Sequence, residues 1–105
     1  MYSTKIDVLD VIDNSYPIFV NFQILDCHGV YHNFHEKSSV VKLHYFDDGS
    51  LTGDGTIKCK IIKVKEDTFI IDTSEPNGIV SVDGLHEFEV NKSGTGRLLK
   101  WQYPK

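Results

Sequence analysis

The chain has 105 residues, a formal net charge of −4 and no alanine. That length suits one domain, 1–105, which can bury a single core without a metal or a disulfide framework. Apolar residues drawn mainly from Val, Ile, Phe and Tyr disfavour a helical bundle, mild acidity argues against a general nucleic-acid binder, and no apolar run approaches the ~18 residues of a membrane helix.

Residues 4–13 read as a first strand. Ile6, Val8 and Ile12 share one phase and Leu9 and Val11 the other, so both faces are expected to be covered. Asp13 to Pro17 is a turn. Residues 18–26 form a second strand with Ile18, Val20, Phe22 and Ile24 in phase. A turn at 26–29 places Gly29 where a positive φ is cheap, and 30–36 return with Val30 and Phe34 inward. Residues 40–46 are a short strand or one helical turn feeding a strand. Residues 47–55, with three glycines and three aspartates, read as the longest polar loop.

The most regular stretch is 56–65. Ile57, Cys59 and Ile61 alternate with Lys58 and Lys60, the mark of a strand with one buried and one wet face. Adjacent Ile61 and Ile62 then shift the phase by one residue. A bulge at that point keeps Lys58, Lys60, Lys63 and Lys65 outward and returns Val64 to the apolar phase. Residues 68–73 come back after a tight turn, 79–82 and 85–90 are further short strands, and 97–103 carry Leu99, Trp101 and Tyr103 in alternation as a last strand. Seven to eight short strands with turns every few residues describe an all-β chain, an antiparallel barrel or sandwich with at most one short helix.

No motif specifies a reaction, and the chain is not read as an enzyme. His32 and His35 lie an odd number of residues apart on a strand and face opposite ways, which works against a shared metal, so no metal or cofactor is expected. Cys27 and His28 are adjacent in a turn, which does not make a catalytic dyad. The 47–55 loop lacks the spacing of a calcium loop and of a phosphate loop. The lysine stripe lacks the interleaved aromatics of a single-strand binder, and the acids Glu66, Asp67, Glu87 and Glu89 are placed to neutralise it.

Charge is unevenly distributed: residues 1–54 carry −5 and residues 55–105 carry +1. Asp10, Asp13, Asp26, Glu36, Asp47, Asp48 and Asp54 are interleaved with Tyr16, Tyr31 and Tyr45. Tyrosine anchors inside an acidic rim suit the binding of a basic protein partner.

Gly-x-Ile-x-Cys at 55–59, the run Ile71-Asp72-Thr73-Ser74-x-Pro76-x-Gly78-Ile79, then Asp83-Gly84 and Phe88-x-Val90, together resemble a group of short bacterial β-barrel proteins. In size, acidity and lack of a catalytic motif the chain is similar to bacterial immunity proteins, small inhibitors of a cell's own toxins. The expectation is a cytoplasmic, partner-binding inhibitor of a toxin such as a nuclease, monomeric when free. The competing expectation is a barrel that binds an oligonucleotide or small ligand through the lysine strand. An N-terminal stretch without a signal peptide's apolar core, and two cysteines expected to be free thiols, match a reduced compartment.

Overall fold

The computed structural model describes residues 2–12 and 16–92. Seven strands follow in order: β1 (Tyr2–Ile12), β2 (Phe19–Leu25), β3 (Tyr31–Lys37), β4 (Lys42–Tyr45), β5 (Leu51–Val64), β6 (Thr68–Asp72) and β7 (Glu87–Asn91). A 3-10 turn, Ser38–Val40, precedes β4. All the pairings are antiparallel, in the order β3-β2-β1-β5-β6-β7, and β4 pairs with β5 beside β6. The fold is therefore all-β, a curled half-barrel. The expected last strand at 97–103, and Asp13, lie outside the described residues.

Two bulges keep the buried faces in phase. In β1 the register slips between Val8 and Asp10, so Val8 opposes Phe22 and Val11 opposes Val20. Val8 and, past the bulge, Val11 thus reach one interior, and Leu9 turns half into solvent. The expected double coverage of this strand is corrected: its mixed phases come from the bulge. In β5 the register slips between Ile61 and Lys63, at the doubled isoleucine. Lys58, Lys60, Lys63 and Lys65 are all exposed, as the alternation requires. Val64 opposes Phe69 at the sheet's end but is largely exposed, contrary to its apolar phase.

The interior is Ile6, Val8, Val20, Phe22, Ile24, Phe34, Ile57, Cys59, Phe69, Ile71, Phe88 and Val90 from the strands, with Val41 and Ile79. Phe22 and Phe34 stack across β2 and β3 at 4.9 Å, and Phe34 meets Phe88 edge-on at 5.7 Å. The curl brings the β3 edge back towards β7. Val82 N–H donates to the Asn33 carbonyl at 2.8 Å, and Cys27 N–H donates to the Glu89 carbonyl at 2.8 Å.

Two further expectations change. Residues 79–82 alternate as a strand does, with Ile79 and Ser81 buried and Val80 and Val82 exposed, but no strand ladder forms there. The segment is a loop held by Thr73 Oγ1 on the Ile79 carbonyl and by the Val82–Asn33 bond. The polar loop shrinks to a tight turn, in which Phe46 N–H donates to the Ser50 carbonyl at 2.7 Å and Gly49 N–H to the Phe46 carbonyl at 2.9 Å. Leu51 to Gly55 belong to β5, clasped between β1 and β4. Gly55 permits this: a Cβ there would lie 2.8 Å from the Lys42 carbonyl oxygen and 3.3 Å from Ile6 and Val8.

Candidate functional site

Strand direction sorts the acidic and aromatic residues. β1, β3 and β4 finish, and β2 and β5 begin, at one end of the sheet. Asp10 lies there, turned outward opposite Asn21 by the bulge. So does Tyr16, 95% exposed, just ahead of β2. Tyr45 closes β4 opposite Leu51, and the turn that follows carries Phe46, Asp47 and Asp48, all exposed. The Asp48 carboxylate accepts Ser50 N–H at 2.8 Å, which braces the turn and holds that carboxyl below its ordinary range. Asp54 sits further along β5, opposite Asp7, with Lys5 Nζ at 3.6 Å from its carboxylate.

Glu36 is at this end too, opposite Val20 near the close of β3, and the other members lie elsewhere. Asp26 and Tyr31 flank the β2–β3 turn at the opposite end. Asp26 Oδ1 accepts His28 N–H at 2.9 Å and Val30 N–H at 3.0 Å, and its Oδ2 meets His32 Nε2 at 2.7 Å. Burial pushes this carboxyl up, but the His32 and backbone bonds outweigh it and hold the pKa below its ordinary value. The His32 ring rests on Phe88 at 4.6 Å. Glu36 accepts a bond from the Val80 backbone, and burial leaves its carboxyl raised. Asp26 and Glu36 thus brace the fold where the sheet curls closed, and the expected acidic set divides between two ends of the molecule.

Two groups carry residue types found in catalytic or metal sites. Ser74 Oγ donates to Asp72 Oδ1 at 2.6 Å, Ser74 N–H to the same oxygen at 2.9 Å, and His86 Nδ1 meets it at 2.9 Å. An activated serine donates to its base. Here the hydroxyl goes to the carboxylate, so the trio cross-braces the turn after β6. Burial pushes the Asp72 carboxyl up, and the Ser74 and His86 bonds more than reverse it. Ligand atoms of Cys27, His28 and Glu89 fall within 4.8 Å of one another, as do those of Asp72, His86 and Glu87. Glu89 already holds the Thr68 hydroxyl at 2.6 Å and Lys65 Nζ at 3.4 Å. Burial, together with the Glu89 and Asp26 carboxylates, raises the Cys27 thiol, and burial and Asp72 push Cys59 up to about 12. Neither thiol is poised as a nucleophile.

One concave feature was not legible in the sequence. A groove of about 370 Å³ opens on the outer face of β5, lined by Ser3, Ser39, Val40, Val41, Lys42, His44, Thr56, Lys58 and Asn77. These come from β1, β4, β5, the 3-10 turn and the turn after β6. Among the described residues the lining contains two lysines and a histidine, and no carboxylate.

No family model, no curated protein and no solved structure matches the chain. Among the described residues no helix is long and apolar enough to cross a membrane.

Proposed function

We propose that the protein is a partner-binding module of the immunity type, one that occupies the basic active site of a toxin such as a nuclease. The observation that carries this reading is the end of the sheet where Tyr16, Tyr45 and Phe46 are exposed with Asp10, Asp47 and Asp48. Three aromatic side chains left in water carry a hydration cost that burial in a partner removes. Aromatic anchors supply most of the binding energy in such contacts, and carboxylates around them steer a cationic partner. A nuclease site is electropositive because it holds phosphates, so a carboxylate surface can occupy it by mimicry.

The test is differential capture. Immobilised wild-type protein retains a basic polypeptide from source-cell extract in low salt. The double variant Asp47→Lys/Asp48→Lys and, separately, Tyr45→Ala each weaken retention by roughly tenfold or more. Equal retention by all three baits removes this end of the sheet from the interface.

A second reading, binding of a small ligand or oligonucleotide through the strand that holds Lys58, is favoured by one observation, the cationic groove over Thr56 and Lys58.

A further inference from the structure

The groove exists because the ladder beside β5 is interrupted. On the side away from β1, β4 pairs with β5 up to Thr56, and β6 takes over only at Lys60. Over the intervening residues, Ile57 to Cys59, β5 has no strand neighbour on that side among the described residues. Successive strand residues turn their N–H and C=O groups to opposite edges, so backbone polar groups of this stretch face the gap. The 3-10 turn and Asn77 wall it in place of a strand.

Register defines what lines it. Lys42 lies opposite Thr56, and Ser3 lies opposite Lys58. Thr56 and Lys58 are two residues apart on one strand face, about 7 Å. Thr56 forms the floor and is 6% exposed. Lys42 and Lys58 make no ion pair among the described residues. The nearby acids are engaged elsewhere, Asp54 with Lys5, and Asp72 with Ser74 and His86. A positive concavity therefore sits in a chain whose net charge is −4.

Developing the second reading above, we propose that this groove binds a small phosphorylated ligand. Its phosphate sits between Lys42 and Lys58, over the Thr56 hydroxyl. Two ammonium point charges, hydroxyl donors and backbone groups suit a tetrahedral, multiply charged oxyanion; a planar carboxylate calls for the fork of an arginine. Val40 and Val41 supply an apolar wall for the organic part. The volume matches a small-molecule site of roughly 300–1,000 Å³. Among the described residues no Phe, Tyr or Trp lines it, so the described lining lacks the large aromatic platforms on which the bases of a single strand stack.

The experiment follows backbone amide resonances during titration with inorganic phosphate, a nucleoside 5′-monophosphate, the matching unphosphorylated nucleoside, and a single-stranded oligonucleotide. The monophosphate gives saturable shifts at Ser3, Ser39, Lys42, Thr56 and Lys58. Inorganic phosphate shifts the same residues more weakly, and the bare nucleoside leaves them unmoved. Lys42→Gln/Lys58→Gln, both exposed positions, lowers monophosphate affinity by about tenfold or more with the rest of the spectrum unchanged. Non-saturating shifts spread equally over Lys60 and Lys63 overturn the proposal, as does a double variant that binds unchanged. Tight oligonucleotide binding with no response to the monophosphate overturns it while keeping the second reading. Absence of any response removes both.

Discussion

Single side chains account for two of the molecule's stability expectations. Thr4 is fully buried, and its hydroxyl is the one buried side-chain polar atom among the described residues that lacks a hydrogen bond. An unsatisfied buried group costs about 1–3 kcal/mol, so Thr4→Val is expected to stabilise the fold by about 1 kcal/mol. Urea unfolding checks this; a lower midpoint would mean that the hydroxyl has a partner. Asp26 gives a pH signature. Its carboxyl is depressed in the folded state, so the stabilisation is complete above the unfolded pKa, about 3.9, and is lost as pH falls through the lower folded value. Asp26→Asn should therefore be less stable than wild type at neutral pH, with the gap closing as the pH drops below about 4. Unfolding curves at neutral and acid pH read the difference directly. A gap independent of pH would assign the loss to packing in place of charge.

Strands and turns show how far local pattern carries. The doubled isoleucine at Ile61 and Ile62 announced a bulge, and the register slips there. The bulge at Leu9 left the same kind of mark, mixed phases, but a strand covered on both faces leaves that mark too. Only the pairing of Val8 with Phe22 and Val11 with Val20 separates them. The 47–55 stretch misled for a related reason. Glycine and aspartate enrich loops, yet Gly55 is required because two strands close on it at once. Gly55→Ala forces a methyl against the Lys42 carbonyl and should cost about 1–3 kcal/mol. The disturbance falls on β4 first, so amide exchange should quicken at Lys42 and Leu43 before it does in β2. Uniform acceleration would show that β4 opens only with the whole sheet.

Over the molecule as a whole, charge and shape separate the two proposed activities. Exposed aromatics and carboxylates occupy the end where β4 turns into β5, while the cationic groove lies lower on the same pair of strands. Partner capture should weaken as ionic strength rises, because the carboxylates at that end are exposed and screened. It should not respond to Lys42→Gln/Lys58→Gln. Loss of capture in that variant would mean that one surface serves both roles.

Alternation of apolar and polar residues, with Gly, Pro and Asn between the runs, was enough to specify an all-β chain, most strand positions, the β5 bulge and the buried face. These are properties of neighbours along the backbone, and a pleat with period two writes them into the order of residues. Which strand lies beside which is set by long-range pairing and leaves no local trace. That pairing sent Asp26 and Glu36 to brace the curl, gathered Asp10, Tyr16, Tyr45, Asp47 and Asp48 at one end, and opened the gap beside Ile57 to Cys59. The groove is built from Ser3, Lys42, Thr56 and Lys58, residues up to 55 positions apart in the chain, and only the folded sheet brings them together.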